Sequence, residues 1–390
     1  MYYYTIYLLF FKDFFIINTI IKFAIIDTNS NYCLQGITMN EKILKLMNLY
    51  KNKAILINNG KDLFYLTGAK FEDFWLLLYK SHISIIVHEM IEPQVNQHFK
   101  KYKNKIKVFS TNEKMSDKLT DVLKQYKVTS LIIDSSNISL ETFDIIKTKL
   151  SKAKIKVQKE DNFTHDLRVV KDKTEIKNIQ KACDIASQVL ESVKKRICPG
   201  MTELDVHFKI EEEFAKQHVV QSFKTIVASG PNSANPHHIS GDRKIKKNDI
   251  ILIDMGCIYN GYCSDITRTF FVGKQTIFQK KIWDIVKLAH DEALEKVKQD
   301  MKASDIDSFA RNVIKQAGYE KNFIHTTGHS LGLDIHEKPR ISKTCNDKLK
   351  EGMIITIEPG IYLEKKFGVR IEDTVLVTKN GYKVLTTAKY

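Results

Sequence analysis

The chain has 390 residues, 43% of them hydrophobic and 27% charged. At about 100–200 residues per domain that length spans two domains, and the balance excludes wholesale disorder and linker-dominated chains. The excess of 61 basic over 46 acidic residues gives +15, but most of it is Lys scattered along the chain, which reads as a solvated surface with no nucleic-acid groove.

Residues 1–38 are rich in Tyr and Phe, yet Lys12, Asp13 and Lys22 interrupt every apolar run. A spanning helix needs about 20 predominantly apolar residues, so a membrane anchor is the weaker reading. Met39, followed by Asn-Glu-Lys-Ile-Leu-Lys, looks like an ordinary cytoplasmic start, and 1–38 then reads as upstream sequence behind a misplaced start. Six cysteines without a C-x-x-C pair make no disulfide framework and fit a reducing compartment.

From 39 to 160, short apolar runs alternate with amphipathic stretches. Strands are expected at 53–58, 75–79, 83–87, 106–109, 128–134 and 155–158, with helices at 113–126 and 140–152. This pattern predicts an α/β amino-terminal domain. A second unit runs over 165–390. Asp172 with Glu175 opens a helix to about 196, and Thr202 with Asp205 opens another to about 217. Strands are expected at 222–229, 250–258 and 262–272, then helices at 275–299 and 303–317. Thirteen of the sixteen glycines follow residue 199, which places the shaped loops in this half. The helix-then-strands pattern occurs twice.

The strongest local signal is IILIDMGCIYNGYCSDITRTFFV at 250–272. Asn260-Gly261 between apolar runs predicts a two-residue hairpin turn with φ > 0 at both positions. Tyr259 then opposes Tyr262, and Asp254 and Asp265 become diagonal neighbours about 7–8 Å apart. Two carboxylates on one face of an apolar hairpin repel unless a cation lies between them, and a divalent pair about 3.5–4 Å apart fits that gap. A second signal, TTGHSLGLDIHEKP at 326–339, sets His329 and His336 in a Gly-rich loop. A third puts Glu358 at the end of an apolar strand before Pro359-Gly360, and Glu372 inside an apolar strand that shares a face with Arg370. A buried Glu needs a cation. Four carboxylates and one imidazole favour hard or borderline divalent ions such as Mn²⁺, Co²⁺, Fe²⁺ or Zn²⁺ over thiolate-loving ones.

These residues resemble the pita-bread metallopeptidases, which comprise methionine aminopeptidases, Xaa-Pro aminopeptidases and prolidases. The intervals fit: 11 residues between the Asps, 22 from His336 to Glu358 and 14 between the Glus. PNSANPHH at 231–238 resembles the substrate-histidine segment, and LRVVKDKTEIKNIQKA at 167–182 resembles the start of the catalytic domain. KDLFYLTG at 61–68 looks like the amino-terminal domain of aminopeptidase P, prolidase and creatinase.

The resemblance implies an α/β amino-terminal domain over 39–160, an α+β pita-bread catalytic domain over 165–390, and an extension at 1–38 outside the match. It implies two divalent metal ions, with Asp254 a terminal ligand, Asp265 and Glu372 bridging, and His329 and Glu358 completing the second site. Glu358 would also pass on the proton of the attacking water. His237 and His336 would contact the scissile peptide, and Arg370 would orient a ligand carboxylate. The expected activity is hydrolysis of an amino-terminal Xaa-Pro bond in peptides with proline second, by a cytoplasmic homodimer. Aminopeptidase P is preferred and prolidase is the alternative. A non-catalytic pita-bread binding protein is the third reading, and such relatives have lost ligands that this chain keeps.

Overall fold

The computed structural model describes residues 39–51, 53–135, 138–160 and 164–390; the extension expected at 1–38 lies outside the described residues. The amino-terminal part carries a six-stranded sheet. Its strands are β1 Ala54–Ile57, β2 Phe74–Tyr79, β3 His82–His88, β4 Ile106–Thr111, β5 Ser130–Asp134 and β6 Lys156–Glu160, in the order β4-β3-β2-β1-β5-β6. The β1–β2 and β2–β3 pairs are antiparallel, whereas β3–β4, β1–β5 and β5–β6 are parallel.

All four residues of β1 are buried, because both faces of the sheet are covered. Ile55 and Ile57 point into a core with Ile43, Leu46, Leu63 and Leu66, from the helices Met39–Leu49 and Gly60–Thr67. Ala54 and Leu56 point the other way, towards Leu119, Leu123, Ile146 and Leu150 of the helices Met115–Gln125 and Leu140–Lys152. The first core also takes in Cys183, Tyr262, Leu331 and Leu333, so one face of this sheet rests on the catalytic half.

The helix Gly60–Thr67 was not expected. Eight residues are too few to display a 3.6-residue period, and its real signals are its ends. The Asn59 side chain accepts from the Lys61 N–H, and Gly68 stops the helix at φ 71°.

Past residue 164 the chain twice builds a pair of helices followed by antiparallel strands. The first repeat has the helices Lys173–Lys194 and Glu203–Lys216, each opened by a reciprocal capping box, Asp172 with Glu175 and Thr202 with Asp205. Its sheet orders Ile266–Phe271, Ile250–Met255 and Ile226–Ser229. The second repeat has the helices Ile277–Glu295 and Ala303–Gln316. Its five-stranded sheet orders Glu337–Ile341, Gly328–Ser330, Ile354–Ile357, Asp373–Thr378 and Gly381–Val384. A bridge between Thr267 and Glu372 joins the two halves.

The expected strand 222–229 forms only over Ile226–Ser229, and three stretches around the candidate residues are broken. The expected strand 250–258 is interrupted at Gly256, and 262–272 at Ser264-Asp265. Glu372 is not inside a continuous strand with Arg370. It sits between Phe367–Arg370 and Asp373–Thr378. Two of the four candidate carboxylates, Asp265 and Glu372, lie at such breaks, while Asp254 stays paired within Ile250–Met255.

Candidate metal centre

The Asn260-Gly261 turn has φ of 48° and 85°, the left-handed pair that a tight hairpin needs. It sets the pairs Tyr259 with Tyr262 and Ile258 with Cys263, and the same register continues into Met255 with Ile266. Asp265 falls in the gap opposite Gly256. A Cβ on Gly256 would lie 1.9 Å from the Ser264 carbonyl oxygen, so only glycine lets the strands cross so closely there. The Asp265 carbonyl accepts from Thr374 Oγ1 at 2.7 Å, which fixes the backbone behind the side chain.

His329 stands on the short strand Gly328–Ser330, whose glycine is packed against the Thr356 carbonyl. Its N–H donates to Thr356 Oγ1 (3.1 Å) and its Nδ1 donates to the Ser330 carbonyl (3.2 Å). The Nε2 lone pair therefore faces inward, 3.4 Å from Glu358 Oε1 and 3.6 Å from Asp265 Oδ2. Asp265, His329 and Glu372 each offer a ligand atom, all within 4.8 Å of one another. Glu372 accepts from Thr267 Oγ1 at 2.6 Å, and its N–H donates to the Thr267 carbonyl. Asp254 is held by Arg370, whose Nη2 lies 2.5 Å from Asp254 Oδ2.

Arg370 is itself fixed by partners the sequence reading missed. Its Nε donates to Thr267 Oγ1 (3.2 Å) and its Nη1 to the Tyr362 hydroxyl (2.8 Å). That hydroxyl donates to His325 Nε2 (2.9 Å), while His325 Nδ1 donates to the Thr326 carbonyl. Burial, then the Arg370 charge, pushes His325 down to about 3, so it stays a neutral acceptor.

Burial and then the charges of Glu372, Asp254 and Glu358 hold the Asp265 carboxyl well above the usual range. Glu372 is raised by burial and then by Glu358 and Asp254. Glu358 is raised to about 7 by burial, against the opposing pull of Arg370. Burial, then His336, takes His329 down to about 4, which keeps its lone pair free. Asp254 Oδ1 and Asp265 Oδ1 are buried without a hydrogen-bond partner. A buried, mutually repelling set of carboxylates with unpartnered oxygens and a neutral imidazole fits a divalent cation pair.

The two remaining candidates line the exposed edge. The His336 ring stands 4.4 Å from that of His329, centroid to centroid, and burial lowers its pKa. His237 is exposed, and the carbonyl of the preceding Pro236 accepts from Arg370 Nη1 at 3.5 Å.

Residues 177–379 match metallopeptidase family M24, and 40–170 match the creatinase/prolidase N-terminal domain. The chain is 38% identical over 358 residues to an Xaa-Pro dipeptidase of Pyrococcus horikoshii, covering 89% of this chain and 97% of that one. An Xaa-Pro dipeptidase structure from Bacillus anthracis superposes with TM-score 0.86 at 29% identity, over 90% of this chain and 98% of that one. An X-Pro aminopeptidase from Thermotoga maritima gives TM-score 0.81 at 31% identity, over 88% and 98%. With the buried carboxylate cluster on a pita-bread scaffold behind an α/β amino-terminal domain, these matches mean that the chain belongs to metallopeptidase family M24 and is a metallo-exopeptidase.

Proposed function

We propose that this enzyme is an Xaa-Pro dipeptidase, which corrects the expected order of preference between aminopeptidase P and prolidase. What carries the reading is the buried cluster of Asp265, His329 and Glu372 in a chain 38% identical, over nearly its whole catalytic and amino-terminal length, to an Xaa-Pro dipeptidase. The reading divides the chain into an amino-terminal domain over 39–160 and a catalytic domain over 165–390. It keeps the homodimer and the cytoplasmic setting that the family resemblance implies.

In this reading Asp254, Asp265, His329, Glu358 and Glu372 hold two divalent ions, Mn²⁺ before Co²⁺, Zn²⁺ or Fe²⁺. When bound, the ions supply Lewis acidity to the scissile carbonyl and acidify the attacking water. Glu358 takes the proton of that water and delivers it to the leaving prolyl nitrogen. His237 and His336, exposed beside the buried ligands, contact the scissile peptide and the oxyanion that forms on its carbonyl. Arg370 keeps Asp254 aimed through its 2.5 Å contact.

The test compares Xaa-Pro dipeptides with Xaa-Pro-Yaa tripeptides, using protein stripped by chelator and reloaded with Mn²⁺. Faster turnover of dipeptides is expected, and activity should vanish on stripping. Preference for tripeptides would restore the aminopeptidase reading, and no cleavage of either by reloaded protein would remove both.

A further inference from the structure

Glu203 opens the helix Glu203–Lys216 and is completely buried. A carboxylate there is stable only if its oxygens are well supplied with donors. It takes the Ser229 N–H and Ser229 Oγ, each at 2.7 Å, Asn232 Nδ2 at 3.0 Å and the Gly241 N–H at 3.3 Å. Its remaining partner is His238 Nε2 at 2.7 Å. Every one of these donors belongs to the stretch 229–241, so a single carboxylate gathers the whole loop around one point.

His237 lies inside that stretch and is bracketed. Pro236, before it, gives its carbonyl to Arg370, the same guanidinium that holds Asp254. His238, after it, is tied to Glu203. The loop is also seated on the strand Phe367–Arg370, where the Gly368 N–H donates to Ser233 Oγ at 2.9 Å. The His237 backbone N–H donates to Asn235 Oδ1 at 3.1 Å, and its ring is exposed.

We propose that Glu203 and His238 form a positioning pair that holds His237 where it meets the substrate, so that they govern turnover without touching the peptide. This rests on the reading of His237 as a substrate contact. A residue displaced by about 1 Å near the reacting atoms can lose roughly a hundredfold in rate, and without the His238 bond the next tie to Glu203 after His237 is the longer one from the Gly241 N–H, at 3.3 Å.

The experiment uses the full chain loaded with Mn²⁺ and an Xaa-Pro dipeptide. His238→Ala removes only the bond beside His237 and leaves the other donors on Glu203. It should lower kcat/KM by about 10- to 100-fold, with the Mn²⁺ affinity measured by calorimetry unchanged. His238→Gln retains a donor and should recover most of the loss. Adding His238→Ala to His237→Ala should cost nothing further, since the pair acts only through His237. Wild-type turnover by His238→Ala, or multiplied losses in the double variant, would overturn the proposal. A second readout needs no turnover. In protein loaded with diamagnetic Zn²⁺, the His237 ring-proton resonance, assigned by its loss in His237→Ala, should shift and broaden in both His238→Ala and Glu203→Gln. An unchanged resonance would also overturn it. An inactive wild-type protein would count against the dipeptidase reading, and the resonance alone would then decide this one.

Discussion

At the level of single side chains, the centre is a conflict that the fold tolerates. Asp265 and Glu372 are buried within reach of one another, and Glu358 and Asp254 add to their repulsion. Taking away one charge should therefore have opposite effects with and without metal. Stripped of metal, Asp265→Asn should melt at the same temperature as the wild type or higher, because a repulsive partner is gone. With Mn²⁺ the order should reverse, since an ion that binds the folded state stabilises it more the tighter it binds, and the variant binds it more weakly. Turnover should be abolished in both conditions. Calorimetric melting with and without Mn²⁺ reads this directly, and a variant less stable than wild type in the stripped state would contradict it. The candidate ligands stand out in the sequence because local rules expose them. A hairpin turn fixes the register of Asp254 and Asp265, and apolar runs around Glu358 and Glu372 betray their burial. Tyr362, His325 and Glu203 gave no such sign. Glu203 meets Ser229 across 26 positions and Arg370 meets Asp254 across 116, and no periodicity reports contacts of that span.

At the level of elements, the close crossings are as important as the side chains they present. A Cβ at Gly328 would lie 1.9 Å from the Thr356 carbonyl oxygen, and one at Gly256 equally close to that of Ser264. Neither obstacle is a flexible side-chain end, so the strands themselves must separate. Gly256→Ala and Gly328→Ala should each destabilise by about 1–3 kcal/mol or more and weaken Mn²⁺ binding. Gly381→Ala is the control, because nothing lies within 4 Å of its added Cβ. Denaturant unfolding of the three variants separates these outcomes, and equal stability for all three would refute the packing argument. The expected strands at 250–258 and 262–272 were right in direction and register but missed their breaks. A strand pattern reports which residues alternate, and a break is set by what the partner strand brings to it.

At the level of the whole molecule, the amino-terminal domain reaches the loop that carries His336. Arg168 pairs with Asp62 of the amino-terminal helix Gly60–Thr67 (3.2 Å), with Asp334 (2.5 Å) and with Glu337, and Lys171 Nζ lies 2.9 Å from Glu337 Oε2. The Glu337 carboxyl is completely buried, and although burial alone would raise it, Lys171 and then Arg168 bring it down to about 2. A depressed carboxyl contributes stability that is fully present above its unfolded value, near 4.5, and is lost as pH falls through about 2. The contribution should be about 3 kcal/mol at neutral pH. Glu337→Gln should therefore be clearly less stable than wild type at pH 7, with the gap closing between pH 4.5 and 2. A gap that stayed constant with pH would show that the charge is not what matters.

The bridge between Thr267 and Glu372 is where the two helix-and-strand repeats meet, and the five candidate ligands divide across it. Asp254 and Asp265 come from one repeat, and His329, Glu358 and Glu372 from the other. An ion seated among them is then a rivet between two halves of the chain as well as a reagent. Its removal should loosen that seam before any other part of the sheet. The Glu372 amide, which donates across the seam to the Thr267 carbonyl at 3.1 Å, is the natural reporter. Its hydrogen exchange should be slow with Mn²⁺ and measurably faster after chelation, while the amides of the amino-terminal sheet keep their rates. Equal acceleration everywhere would mean that the halves part only when the whole protein unfolds.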